Sequence, residues 1–316
     1  MKPIPAELCS GPFLRSDALK LGVTPKMLRG KRFERVHFEV YRVAAGPIDH
    51  SERLAAARLA LPRDARLTGI SRIQELGLDH GPLLPIHFVV EGDHHLDLDG
   101  VFLHRTKSFA PLVDGQMSAE GAYISYCSLA RVIDAIKVGD WLLTNNHMDL
   151  TRLIEVASAH LWRAGAYEAL YIANFLTTKS RSLKESETAA CLTFAGLPTP
   201  EFNLTLDIAE REVIGDLVYV ALRLVIEYEG RHHQEEREQY NKDIDRYKLM
   251  RDHSYRYMQI TDERLKRPQR MVRLVHDEMR EAGYDGPPPM FGENWKTLFV
   301  RVSRLVGRKG PDLTAA

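Results

Sequence analysis

The sequence predicts a mixed α/β chain, in the α+β arrangement, divided into several domains. Three observations carry that expectation. The 316 residues, 44% of them apolar, exceed one ordinary domain and suffice for sizeable cores. Helix-period stretches alternate with period-two stretches along the whole length, so neither kind dominates. Shifts in composition separate segments 1–45, 46–177, 178–284 and 285–316.

In the first segment, "LRSDALKLGVTPKMLRGKRFERVHFEVYRV" carries helix punctuation. Ser16 can cap a short helix that ends near Gly22. Thr24 before Pro25 is an N-cap with proline at the first helical position, so a second helix runs to about Gly30. "RVHFEVYRV" then alternates like a short hairpin. Two short helices across a glycine-containing turn, followed by a strand pair, are the parts of a winged helix-turn-helix; the alternative is an ordinary small helical cap. Arg15, Lys20, Lys26, Arg29, Lys31, Arg32, Arg35 and Arg42 outnumber Asp17, Glu34 and Glu39 here. Lys26, Arg29, Lys31 and Arg32 are the candidate phosphate contacts.

From 46 to 177 helix and strand mix without a chemical motif, as a scaffold would. "HSERLAAARLAL" is a helix with a continuous apolar face, "IHFVVEGDHHLDLDGVFLHRT" reads as two strands across a polar hairpin turn, and "SLARVIDAIKVGDWLLTNNHM" returns to helix. "GDHHLDLDG" fails the calcium-loop template, because His95 stands at the first ligand position and Thr106 where a bidentate Glu is needed.

The third segment opens with "SLKESETAACLTFAGLP", a helix from near Ser182 with Glu185, Ala189 and Leu192 on one face, closed by Gly196 and Pro198. A strand pair, a charged helix "EEREQYNKDIDRYKLMRD", the strand "YRYMQIT" and a last helix "DERLKRPQRMVRLVHDEMREAG" follow. "YDGPPPMFGENW" is a break, and the tail beyond it, with Lys296, Arg301, Arg304, Arg308 and Lys309, reads as a basic appendage.

Charge and cysteine content narrow the function. Lys plus Arg equals Asp plus Glu at 43 each, so nucleic-acid binding must rest on local patches. Cys9, Cys127 and Cys191 lack metal or disulfide spacing and are expected to be buried thiols. No apolar run reaches about 18 residues and "MKPIPAELCS" has no basic-then-apolar leader, so the expectation is a cytoplasmic protein with no membrane partner.

The chemistry concentrates in "GDLVYVALRLVIEYEGRHHQ". With a turn near Ala221 and Leu222, Asp216 sits opposite Glu227 on the neighbouring strand, Cβ atoms about 5 Å apart. Like charges so placed repel unless a cation lies between them, and such pairs suit Mg²⁺, which takes one or two carboxylates plus waters and phosphate oxygens. Glu229 continues that face, while Leu224, Ile226 and Tyr228 line the other. Gly230 permits a turn that delivers His232 and His233 to the same rim, where a histidine can serve as general base or steady a phosphate. The plainer alternative is a solvent-facing strand surface and a polar loop.

"SLKESETAACLTFAGLPTPEFN", "IGDLVYVALRLVIEYEGRHH" and "NKDIDRYKLMRDHSYRYMQIT" resemble the very-short-patch-repair-like endonuclease domain of the PD-(D/E)xK superfamily, over about Ser182 to Thr261. "RLTGISRIQELGL" and "SLARVIDAIKVGDWLL" resemble segments of AbiEi-type antitoxins, whose winged helix-turn-helix opens the chain. The first resemblance implies a restriction-endonuclease-like mixed sheet flanked by helices. It also implies Asp216 and Glu227 as metal ligands for Mg²⁺, with Mn²⁺ a substitute, and Glu229 where the superfamily has lysine. Glu185 would be the helix acid that completes the site, with Glu187 as the fallback. Transition-state charge would fall to the metal, to His232 or His233, or to Arg231. Asp243 and Arg246 match a D-x-x-R pair, an intrahelical ion pair being the alternative, and Arg246 and Arg231 are counted with the DNA-binding residues. Ser254 replaces an expected glycine.

The function so implied is a metal-dependent endonuclease hydrolysing DNA phosphodiester bonds, brought to DNA by its N-terminal domain. The alternative is a non-catalytic DNA-binding regulator or antitoxin that keeps the nuclease-like unit as a scaffold. A third reading is a partner-binding protein without nucleic acid. A second copy of the chain and a toxin are the protein partners these resemblances allow.

Overall fold

A computed structural model describes residues 3–229 and 246–307. It is a mixed α/β chain that divides into two compact units, residues 1–126 and 127–316. The boundary lies before the helices of "SLARVIDAIKVGDWLLTNNHM", which belong with the second unit and not with a middle domain ending at 177. Among the described residues no helix is long and apolar enough to cross a membrane.

The first unit begins with a three-stranded antiparallel sheet of β1 (Phe13–Leu14), β3 (Val40–Val43) and β2 (Phe33–His37), with α1 (Arg15–Lys20) and α2 (Pro25–Leu28) packed against it. Leu8, Phe13, Ala18, Val23, Leu28 and Phe33 form its core. The Thr24 side chain accepts the Met27 N–H at 3.3 Å, and Pro25 opens α2 as the sequence predicts. Ser16 is not a cap: α1 already includes it, and Leu14 precedes the helix without a side-chain bond.

Beyond α3 (His50–Ala60), β4 (Arg66–Leu67), β5 (Ile86–Glu91) and β6 (Val101–Thr106) form a second sheet with α4 (Gly69–Glu75), followed by the β7–β8 ribbon (Leu112–Val113, Gln116–Met117) and α5 (Ala119–Cys127). The expected hairpin across "GDHHLDLDG" does not form. β5 and β6 run parallel, Ile86 beside Val101, so residues 92–100 must return the full length of the strand. Leu98 within that connection packs on the core of Ala57, Leu61, Leu67, Ile86 and Phe88.

The second unit holds α6 (Val132–Thr144), α7 (Leu150–Ala159), α8 (Ala166–Ala173) and α9 (Leu183–Phe194), then a four-stranded sheet. Its strands are β9 (Glu201–Ile208), β10 (Arg211–Tyr219), β11 (Leu224–Glu229) and β12 (Arg256–Thr261), side by side in that order. β9, β10 and β11 are successively antiparallel, and β12 runs parallel to β11. A helix α10, described over 246–252, precedes β12. The single last helix expected is two, α11 (Asp262–Leu265) and α12 (Pro268–Glu281), because Pro268 has no N–H to continue one and opens the next.

The tail is part of this unit's core. Trp295 of α13 (Glu293–Thr297), Leu298 and Val302 are buried, and the Ile133 N–H bonds to Leu298 O while Val302 N–H bonds to Ala130 O. An appendage would leave these apolar side chains in water. Cys127 and Cys191 are buried thiols as expected, whereas Cys9 is exposed.

Candidate active site

The β10–β11 ladder pairs Leu217 with Ile226, Val218 with Val225 and Tyr219 with Leu224. The ladder stops one step short of Asp216 and Glu227, the two residues that the sequence predicts to face each other. The strand is irregular at that step. The β9–β10 pairing passes from Gly215↔Leu204 to Leu217↔Phe202 without Asp216, and Asn203, its would-be partner, has φ +48°. Val213 and Val218, an odd number of residues apart, share one apolar cluster, so the alternation of faces slips between them. Gly215 permits the slip, since a Cβ there would lie 2.7 Å from Val218 Cγ2.

The irregularity has a use. The Asp216 carboxylate accepts the Tyr228 N–H at 3.0 Å, and Asn203, in its left-handed conformation, donates its amide to Lys179 O at 2.8 Å and to Glu185 Oε2 at 2.6 Å. Glu185 stands in the first turn of α9, where the Ser182 side chain caps its N–H and Glu185 Oε2 also takes the Arg181 N–H. Burial raises the Glu185 pKa; the bonds from Arg181 and Asn203 oppose the rise, and the charge of Asp216 adds to it. Two acids from different elements thus act on each other electrostatically.

Glu227 is in other circumstances. It is buried, accepts the Tyr257 hydroxyl on Oε2 at 3.0 Å, and forms an ion pair with Arg246 through Oε1. Arg246 also donates to Ile214 O at 2.9 Å. Tyr257 packs against Tyr247 of α10 with the rings tilted and their centroids 4.1 Å apart, and Gln259 donates to the Tyr247 hydroxyl. Where the sequence leads to the expectation of a metal ion shared by Asp216 and Glu227, the charge that lies beside Glu227 in the structure is the Arg246 guanidinium. Arg246, expected as a DNA contact, is partly exposed and bonded to Glu227 and to the Ile214 carbonyl.

Glu229 lies at the partly exposed end of β11, beside Thr261. The fallback Glu187 has a structural task, pairing with Lys137 of α6 at 2.9 Å and with Lys184 at 3.5 Å. Arg231, His232, His233 and Asp243 lie outside the described residues. Among the described residues no group of three or more His, Cys, Asp or Glu side chains is arranged to hold a metal. The donor set nevertheless fits a hard ion that keeps most of its waters: Asp216 and Glu185 offer carboxylate oxygens in mutual repulsion, and two suffice for Mg²⁺. Glu227 does not fit while Arg246 and Tyr257 hold both its oxygens.

In the first unit, ion pairs sort the cations. Arg15 pairs with Glu39, Lys20 with Asp17, and buried Arg42 with Glu34 and Glu52. These use every acid between residues 15 and 42. Lys26, Arg29, Lys31 and Arg35, around α2 and along β2, are exposed and form no ion pair among the described residues; Arg32 is half-buried. Asn203 and Tyr257 are the site residues that sequence reasoning missed, and "EFNLTLDI" and "YRYMQIT" carry no chemical signal that could have marked them.

Comparison with protein-family models, with curated proteins and with solved structures finds no match to this chain.

Proposed function

We propose that the chain is a metal-dependent endonuclease of the PD-(D/E)xK kind, acting on DNA held by an N-terminal winged helix-turn-helix. One observation carries this reading: the second unit runs helix α9, antiparallel β9–β10–β11, helix α10, then β12 parallel to β11. Along that order the acids fall at Glu185 on the leading helix, Asp216 on the second strand and Glu227 on the third. The exposed cations at α2 and β2, which form no ion pair among the described residues, support the DNA partner, since counterion release from phosphates needs cations not already neutralised.

Asp216 and Glu185 would hold Mg²⁺ or Mn²⁺, which when bound polarises the scissile phosphate and acidifies an attacking water. Asn203 fixes the Glu185 carboxylate, and the Tyr228 N–H fixes that of Asp216. Arg246 keeps the buried charge of Glu227 neutralised. His232 or His233 is the proposed acceptor of the water proton.

The test is supercoiled plasmid incubated with Mg²⁺, Mn²⁺ or EDTA. The parent should nick or linearise it only with metal, and Asp216→Ala should not while melting normally. Absence of metal-dependent cleavage, or equal cleavage by Asp216→Ala, removes the reading. Glu227→Ala is the poorer probe because it orphans Arg246. A second reading, a DNA-binding regulator or antitoxin with a nuclease-derived scaffold, is favoured by that same Glu227–Arg246 pair, which commits one expected metal ligand to structure. Gel shifts in EDTA distinguish it: a regulator binds a defined sequence without metal and never cuts it.

A further inference from the structure

The second unit contains a cavity of about 360 Å³ between α6, α9, the 174–179 segment and the start of β9. Three aromatic rings stand in its mixed lining: Phe175 and Phe194 meet with centroids 5.1 Å apart, and Phe202 adds a third. Asp140 of α6, almost wholly buried, is part of its lining. The Thr177 N–H donates to Asp140 Oδ1 and the Ser186 hydroxyl to Oδ2, both at 2.7 Å. No cation pairs with it among the described residues: Lys137, three positions away on α6, is taken by Glu187, and Lys179 and Glu201 are exposed residues of the lining.

A buried carboxylate without a cation is costly, and burial pushes the Asp140 pKa up to about 7. A loop could be tied to α6 by a neutral residue. The acid makes chemical sense if something enters the cavity bearing N–H donors, because each carboxylate oxygen has acceptor capacity beyond the one bond it makes here. Aromatic rings, a buried acceptor and a lysine on one lining together describe one ligand class.

We propose that this cavity binds a nucleobase through its donor edge, with guanine preferred. Guanine presents adjacent N1–H and N2–H donors that match a carboxylate side by side, whereas thymine offers a single N–H flanked by acceptors that a carboxylate repels. The rings of Phe175, Phe194 and Phe202 provide stacking surface, and Lys179 suits the attached phosphate. The cavity adjoins the candidate active site, for Asn203 follows Phe202 and Glu185 precedes Ser186 in the chain, so the base could belong either to a free nucleotide or to a nucleic-acid strand. The inference does not depend on hydrolysis.

The experiment is calorimetric titration of the full-length protein, and of its Asp140→Asn and Asp216→Ala variants, with GMP, TMP and short single-stranded oligo-dG and oligo-dT. GMP binding at least about tenfold tighter than TMP, lost in Asp140→Asn and kept in Asp216→Ala, supports a free-nucleotide site. Preference for oligo-dG that depends on Asp140, without GMP binding, supports a strand-borne base. No guanine preference in either form, or one unchanged by Asp140→Asn, overturns the proposal. Plasmid cleavage measured in parallel keeps the two ideas apart: an inactive protein that binds GMP through Asp140 loses the nuclease reading and keeps this one.

Discussion

The charges around α2 and those of the four-stranded sheet are treated in opposite ways. Lys26, Arg29, Lys31 and Arg35 stand in water with no ion pair among the described residues, while Glu185 and Glu227 are buried and each is held by donors from another part of the unit. Exposed charge costs the fold little and is available to a partner. Buried charge is costly and must be compensated internally, so its presence marks either structural pinning or chemistry. Within the second unit, Glu227 has its guanidinium and Asp140 has none among the described residues.

The largest loss of stability is expected from breaking the compensated pair. Arg246→Ala leaves the Glu227 carboxylate buried with only the Tyr257 hydroxyl, and should cost about 3 kcal/mol in urea denaturation. A loss under about 0.5 kcal/mol would mean that the pair contributes nothing to the unit.

Asp140 should behave in the reverse sense. Its pKa is raised from 3.8 to about 7 by burial, so between roughly pH 4 and pH 7 the folded chain keeps a proton that the unfolded chain releases. Its contribution to stability therefore falls as pH rises through that window. Asp140→Asn should exceed the parent by up to about 4 kcal/mol at pH 8 and match it near pH 4. A variant less stable than the parent at pH 8 would show that the charge is welcome in the free protein.

The exposed cations should scarcely touch stability. Lys26→Ala, Arg29→Ala and Lys31→Ala should each shift it by less than about 0.5 kcal/mol, while each lowers the slope of log affinity for duplex DNA against log salt by about 1. An unchanged slope in all three would move the DNA contact elsewhere. The last effect concerns backbone. Ser254 has φ +63°, the conformation that glycine adopts freely, so Ser254→Gly should stabilise by about 0.5–1 kcal/mol in thermal melts.

That last position shows what was legible in the sequence. A glycine was expected where the structure has a left-handed residue, and the backbone keeps the conformation despite the serine. The helices at Pro25 and Leu183 were readable because Thr24 and Ser182 cap them with their own side chains. β9 was missed although Phe202, Leu204, Leu206 and Ile208 alternate. Its hairpin to β10 turns through Ala209 and Glu210 at φ +53° and +63°, a turn normally announced by Asn-Gly. The parallel pairing of β5 and β6 was hidden for a similar reason: "GDHHLDLDG" has turn composition, and only its packing on the core reveals a crossover. In the site, the β10–β11 register of Leu217 with Ile226 and Tyr219 with Leu224 followed from equal distance to the turn. The partnership of Glu227 with Arg246 could not be read, because Asp243 three residues away offered a local partner and tertiary ion pairs leave no spacing in a sequence.

The central claim is that Asp216 and Glu185 together hold a divalent ion. Titration of the full-length protein with Mn²⁺, followed by the loss of the free-ion electron paramagnetic resonance signal, tests it most directly. One bound Mn²⁺ that Mg²⁺ displaces, and that disappears in both Asp216→Asn and Glu185→Gln, is the expected result. Binding that survives both substitutions, or none in the parent at millimolar Mn²⁺, would contradict it.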